Sequence, residues 1–504
     1  MKSNKKVVAI VLDGFGINES KEDNPLFVAK MPFYKNLLKT YPHTELNASG
    51  SYVGLPDGQM GGSEVGHLNL GAGTCVLQSY MLINKAIKDK TFFENKVLVD
   101  QMKRVNKKGS TLHLVGMVSD GGIHSSLYHL IATLELAKQQ GVKNVVVHCI
   151  TDGRDTSPDS GREFIEKLEE EMNRIGVGKI VTLCGRFYAM DRENRWNRTQ
   201  EAYNLFAFGK GTKVESYENA FNEEYAKKTS DEFIPPYVFG DYSGMANNDE
   251  IFFFNFRPDR MRQITKAFSA KKFDEFDRKF GPVTCTSMCV FDARFKNVLP
   301  AFPPLVMDLT LSKYLSKLGL KQLKISETTK YAHVTYYFNG GIEKAPKGED
   351  RILIESENVE NFANFPQMKA PEIASAAEKA IVSEKYNFIL INLSNADMVG
   401  HTGNFNAAVK ALEYIDKALE KIITAGLDMG YTCVLTADHG NVEDMREKAG
   451  VATTHTKNPV PFLVTDKGVK LKKGQFGLSS FAPTICEIMN IKTPEEMDSP
   501  SLIK

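Results

Sequence analysis

Three aspartates in this chain each follow a short apolar run. Asp13-Gly14 comes after Val7–Leu12, Asp397 after Phe388–Leu393, and Asp438-His439-Gly440 after Thr432–Ala437. His401 stands four residues beyond Asp397, and a polar, Gly-flanked stretch supplies His455. Hard carboxylate oxygens mixed with imidazole nitrogens, placed at strand ends, form a donor set for two divalent metal ions. Taken singly, Asp397 reads equally as a helix cap and Asp438 as a turn former. Three such aspartates with three histidines in polar surroundings favour the metal reading. Ser63 follows Gly61-Gly62 and precedes a helix-forming stretch. Its hydroxyl would therefore lie at a helix N-terminus, where free amides and the helix dipole attract an anion. An ordinary serine cap explains Ser63 alone; beside two metals its hydroxyl becomes an activated nucleophile. Asp13, Asp397 and Asp438 bring three negative charges against the four of two dications. The surplus positive charge suits a serine alkoxide or a phosphoryl group in transfer.

A second group of residues lies in the middle of the chain. Ser119–Ser125, Thr151–Asp155, Gly185–Arg192 and Phe256–Arg260 each follow an apolar run, and they present His124, Arg154, Asp155, Arg186, Arg192, Arg257 and Arg260. The planar guanidinium fork binds carboxylate or phosphate bidentately, so this set fits a substrate bearing both. Arg195 and Arg198 read as surface ion pairs. Asp155 is a candidate general acid/base for substrate hydroxyls, with a helix cap before Pro158 as the alternative. His113, His129 and His148 lie inside apolar segments and read as packing residues, while His67 is expected to support Ser63.

These residues need a scaffold of strand-end loops. Val7–Leu12, Leu112–Val118, Asn144–Ile150, Ile180–Leu183, Ile251–Phe256, Phe388–Leu393 and Thr432–Thr436 read as buried strands. Leu127–Gln140, Ser160–Ile175 and Asn406–Ala425 have helical spacing, and the alternation predicts α/β layers with largely parallel sheets. A length of 504 residues exceeds one core, so two α/β domains are expected. Boundaries near Val76 and Ala301–Pro304 divide the chain into a discontinuous domain, 1–77 with 311–504, and an inserted domain, 78–310. The 63 basic and 62 acidic residues nearly cancel, which argues against a general nucleic-acid or membrane-surface role. The seven scattered cysteines suit a reducing compartment. No window reaches eighteen apolar residues, the length that would span a bilayer. A cytoplasmic location is therefore expected. The Thr284–Phe291 stretch suggests no chemistry.

Val11–Gly16, Gly61–His67, Ser119–Ser125, Thr151–Asp155, Lys330–Thr335 and Ala437–Asn441 occur in order. Together they resemble the cofactor-independent phosphoglycerate mutases, members of the alkaline-phosphatase superfamily, across essentially the whole chain. The resemblance implies an alkaline-phosphatase-like metal domain carrying an inserted phosphotransferase domain. It implies interconversion of 2- and 3-phosphoglycerate through a phosphoserine, without 2,3-bisphosphoglycerate. It further implies two metals, usually Mn2+, one held by Asp397, His401 and His455 and the other by Asp13, Ser63, Asp438 and His439. Lys330 would contact phosphate. A monomer is expected, its two lobes closing over the substrate about hinges near Cys75–Gln78 and Pro300–Leu311. The rival readings are a phosphomonoesterase or phosphopentomutase of the same superfamily and a metal-stabilised scaffold with no use for Ser63.

Overall fold

The computed structural model describes residues 5–278, 280–303, 307–445 and 454–504. The chain divides into two compact units, Met1–Gln78 with Val306–Lys504, and Ser79–Leu305. Each is built on its own sheet with helices on the flanks, so both are α/β units.

In the first unit the seven-stranded sheet runs in the order Glu349–Ile354, Gln322–Glu327, Phe388–Leu393, Val7–Leu12, Thr432–Thr436, Val460–Val464, His43–Leu46. The first five strands are mutually parallel, and Val460–Val464 runs antiparallel to its neighbours on both sides. Every residue of Val7–Leu12 is buried, because a central parallel strand is covered on both faces. That is why it reads as continuous Val, Ala, Ile and Leu with no alternation. The 24-residue helix Phe405–Asp428 buries Ala408, Ala411, Leu412, Ile415, Leu419 and Ile422 at helical spacing and leaves a polar outer face. Among the described residues no helix is long and apolar enough to cross a membrane.

The second unit has eight strands in the order Val298–Phe302, Cys285–Cys289, Glu250–Phe253, Leu112–Met117, Val145–Thr151, Ile180–Gly185, Tyr237–Phe239, Thr212–Val214. The first six are parallel, and separate apolar clusters cover the two sheet faces. Cys285–Cys289 is a fully buried strand, which accounts for the Thr284–Phe291 stretch as packing. The seven cysteines are free thiols, six of them buried.

His113, His129 and His148 are core residues of this unit. His113 Nδ1 meets His148 Nε2 at 2.9 Å, while Asp249 Oδ2 lies 3.1 Å from His113 Nε2 and Thr182 Oγ1 2.8 Å from His148 Nδ1. His129 bonds Asn84 Oδ1 at 2.8 Å. Burial pushes all three imidazoles below their usual range, His129 to about 3. The unfolded chain takes up protons on these rings below about pH 6.5 while the folded unit refuses them. Their contribution to stability is thus complete above that pH and is lost progressively in acid, down to about pH 3 for His129. The expected slope is about 1.4 kcal/mol per pH unit for each refused proton. Urea melts at pH 7 and pH 5 should show the loss, and His129→Gln should narrow the gap between them. An unchanged gap in that variant would remove His129 from the account.

Candidate active site

Four adjacent parallel strands of the first unit deliver charged side chains to one edge of the sheet. In spatial order these are Lys330 after Gln322–Glu327, Asp397 after Phe388–Leu393, Asp13 after Val7–Leu12 and Asp438 after Thr432–Thr436. In an open parallel sheet the carboxyl edge is where loops converge on ligands. Ser63 arrives separately, as the first residue of the helix Ser63–Ala72, with Gly62 as its cap. That helix packs directly on the last of the four loops, since a Cβ on Gly66 would meet the Asp438 carbonyl oxygen at 2.5 Å.

The Ser63 hydroxyl is 3.1 Å from Asp13 Oδ1, 2.9 Å from His439 Nε2 and 2.6 Å from Lys330 Nζ. The same ammonium lies 2.6 Å from Asp13 Oδ1 and 2.6 Å from Asp397 Oδ2. Asn392 donates to Asp13 Oδ2 at 2.8 Å and Asn441 to Asp397 Oδ1 at 2.8 Å. Burial opposes the ionisation of Asp13 and Asp397, but Lys330 and the neighbouring histidines outweigh it and hold both carboxyls well below their ordinary range. Lys330 is driven above its usual range by the same aspartates despite its burial. Burial would likewise lower His439, yet Asp438, Asp13 and Asp397 raise it to about 10.

Two groups of side chains have donor atoms close enough to share an ion: Asp397, His439 and His455, and Asp13, His67 and Asp438. His401 Nε2 is 3.1 Å from Asp397 Oδ1 and 3.0 Å from His455 Nε2, beside the first group. His439 Nε2 is 3.9 Å from Asp397 Oδ1, 3.6 Å from Asp13 Oδ1 and 3.5 Å from Asp438 Oδ2, so it faces both. His67, expected only to support Ser63, bonds the Ser63 carbonyl at 2.9 Å and also lies 3.2 Å from Asp438 Oδ2. Among the described residues Asp438 Oδ2 is buried without a hydrogen-bond partner, with only the imidazoles of His67 and His439 beside it. A buried carboxylate oxygen left without a donor is an expensive arrangement that a cation would resolve. The donor set therefore fits divalent ions.

The second unit repeats this plan. Asp259, between Arg257 and Arg260, follows Glu250–Phe253; His124 follows Leu112–Met117; Asp152, Arg154 and Asp155 follow Val145–Thr151; Arg186 and Arg192 follow Ile180–Gly185. The buried Arg186 Nη1 lies 2.6 Å from Asp152 Oδ1 and 2.6 Å from Asp155 Oδ2. Arg192 donates to Asp259 Oδ2 at 3.0 Å, Arg257 Nε is 3.1 Å from Asp259 Oδ1, and Arg154 reaches Glu232 at 3.5 Å. Burial first, then the charges of Arg186, Arg192 and Arg154, push Arg260 below its usual range. Guanidiniums that repel one another this way call for an anion. Burial and Arg186 push His124 down to about 4, against the pull of Asp259 and Asp155, so it is neutral near pH 7. Asp152 and Asp259 were not among the site residues expected from sequence, although both sit inside the motifs. Removing Arg186 would strand Asp152 in the interior, so Arg186→Met should cost about 3–5 kcal/mol in urea unfolding. A loss below about 1 kcal/mol would show the pair to be solvated.

A serine held among buried carboxylates and imidazoles, in a chain whose second α/β unit gathers arginines, defines a phosphoryl-transfer enzyme. The family model for the BPG-independent PGAM N-terminus matches residues 83–293. A Clostridium botulinum protein named 2,3-bisphosphoglycerate-independent phosphoglycerate mutase is 45% identical over 100% of both chains. Its namesake from Acetivibrio thermocellus is 46% identical over 99% of each. The crystal structure of Leishmania mexicana phosphoglycerate mutase at low cobalt concentration superposes with a TM-score of 0.64 at 31% identity, covering 99% of this chain and 98% of that one. The chain belongs to the 2,3-bisphosphoglycerate-independent phosphoglycerate mutase family.

Proposed function

We propose that the chain interconverts 2- and 3-phosphoglycerate through a phosphoserine at Ser63. The observation that carries this reading is the Ser63 hydroxyl itself, set at a helix N-terminus within hydrogen-bond reach of Asp13, His439 and Lys330. The Lys330 ammonium, which also neutralises Asp13 and Asp397, lies 2.6 Å from that oxygen and is placed to stabilise it as an anion.

Asp397, His401 and His455 would hold one divalent ion, and Asp13, Ser63, Asp438 and His439 the other, with Mn2+ the metal that the family resemblance implies. Such ions supply Lewis acidity, which lowers the hydroxyl pKa and neutralises charge on a transferring phosphoryl group. Lys330 stabilises the serine oxygen as it loses its proton and then the phosphoryl oxygens that bond to it. In the first half-reaction the Ser63 oxygen, its proton already given up to solvent, bonds to phosphorus while the bond from phosphorus to the substrate oxygen breaks, and Ser63 is later released as the same alkoxide. That oxygen takes a proton from Asp155, which is open to solvent beside Arg186. In the second half-reaction Asp155 accepts the proton of the other glycerate hydroxyl, which attacks phosphorus and releases Ser63. Arg154, Arg186, Arg192, Arg257 and Arg260 bind the carboxylate and phosphate of the substrate, and the neutral His124 orients a hydroxyl or phosphate oxygen.

Metal-loaded enzyme given 3-phosphoglycerate without 2,3-bisphosphoglycerate should form 2-phosphoglycerate with no release of inorganic phosphate. Phosphate appearing at the rate of turnover would instead indicate a phosphomonoesterase. Ser63→Ala should lower kcat by more than about 10³-fold while the fold persists by circular dichroism. Retained mutase activity in that variant would sink the phosphoserine. Asp397→Ala should reduce tightly bound metal, measured by mass spectrometry, from two ions per chain to one.

A further inference from the structure

The turn Ser230–Phe233 lies between two of the loops that carry the arginine site. The main-chain N–H of the buried Asp231 donates to the Pro158 carbonyl at 2.7 Å, and its carbonyl accepts from Thr151 Oγ1 at 2.7 Å. Its carboxylate accepts from the Gly161 N–H at 2.6 Å and from the Tyr225 hydroxyl at 2.8 Å. On the other side, the Gly185 N–H donates to the Ile234 carbonyl at 2.7 Å, and the Phe233 and Phe187 rings meet edge to face at 5.2 Å. There is no spare room: a Cβ on Gly153 would come within 2.6 Å of the Glu232 nitrogen, and one on Gly185 within 2.2 Å of the Glu232 carbonyl oxygen. The turn is thus a wedge against residues 151–161, which include Asp152, Arg154 and Asp155, and against residues 185–187, which include Arg186.

The simpler account of Asp231 is a remote cap for the helix Gly161–Ile175. A cap is normally exposed and ionised at little cost. Here burial, with Asp159 and Asp152 nearby, raises the carboxyl to about 6 in spite of the bonds from Tyr225 and Gly161. A costly buried carboxylate that ties the Gly161 end of that loop to Tyr225 on a separate helix has a role beyond satisfying a helix end.

We propose that Asp231 is a positioning residue that sets the spacing between the Arg154–Asp155 loop and Arg186, and thereby the affinity for the glycerate anion. This rests on the arginine loops being the substrate site. Asp231 touches no substrate itself; it acts through residues 151–161. Asparagine can keep the geometry, accepting from Gly161 and donating to the Tyr225 oxygen, whereas alanine removes the acceptor from both groups.

Steady-state kinetics on the full-length, metal-loaded enzyme with 3-phosphoglycerate tests this. Asp231→Ala should raise KM about tenfold with kcat within about threefold, because loosened anion binding is lost from ground and transition states alike. Asp231→Asn should restore KM to within about twofold of the parent. A merely structural role would lower the active fraction, and hence kcat, with KM unchanged, and that result overturns the proposal. Should Asp231→Ala fail to fold, Tyr225→Phe decides: a KM about threefold higher supports the wedge, and an unaltered KM overturns it. Arg260→Met separates this inference from the reading beneath it. If that variant leaves KM unchanged, the arginine site is not the substrate site and both fall. If it raises KM while Asp231→Ala does not, only the wedge is lost.

Discussion

Asp13, Asp397 and Asp438 are removed from water within a few ångströms of one another, and three such charges would force the first unit apart unless something cationic stood among them. Lys330 is that cation among the described residues, with its nitrogen 2.6 Å from two of the carboxylates and from the serine oxygen. His439, raised to about 10 by the aspartates, adds a second positive charge when no ion is bound. The rest of the unit follows from this requirement. The charged groups must lie at one edge, so the strands delivering them are adjacent and parallel. The remaining carboxylate oxygens need donors, and Asn392 and Asn441 supply them to Asp13 and Asp397. The orphaned Asp438 oxygen marks where that provision stops, which is where an added cation has most to gain.

The second unit handles the opposite sign. Five arginines follow its parallel strands, and Asp152, Asp155 and Asp259 orient three of them, Arg186, Arg192 and Arg257. The arrangement is neither a neutral ion-pair network nor an open basic patch. Arg186 meets two carboxylates through Nη1 while its buried Nε has no hydrogen-bond partner among the described residues, and burial together with the neighbouring arginines destabilises the charge of Arg260. A preorganised anion site has this character, because paired donors are already aimed before the ligand arrives.

Much of this could be read from sequence because buried parallel strands have a distinctive composition. Val7–Leu12, Phe388–Leu393 and Thr432–Thr436 are apolar on both faces, and the polar residue that ends each run is conspicuous. Strands at or near sheet edges escaped notice for the converse reason: His43–Leu46 and Thr212–Val214 are half exposed and carry charged or polar residues. Cys285–Cys289 escaped because Thr, Ser and Met disguise a buried strand. Within the sites, residues on strand-end loops were legible and their tertiary partners were not. Nothing local tells that Asp152 and Asp155 share one arginine, that His67 faces Asp438, or that Asp231 reaches the loop at Thr151 from eighty positions away.

The strand Val7–Leu12 lies in the middle of its sheet, between Phe388–Leu393 and Thr432–Thr436. On the ribosome it therefore emerges long before either of its neighbours. Residues 79–305 are contiguous and can fold as soon as they leave the exit tunnel, in the order that synthesis favours for domains. The strand carrying Asp13 must wait until Phe388–Leu393 has been translated before either edge is paired. During that interval six consecutive apolar residues stay exposed, a target for holding chaperones and an aggregation hazard in slow translation. The topology that brings Asp13 beside Asp438 leaves that strand unpaired while the whole of the inserted unit is made.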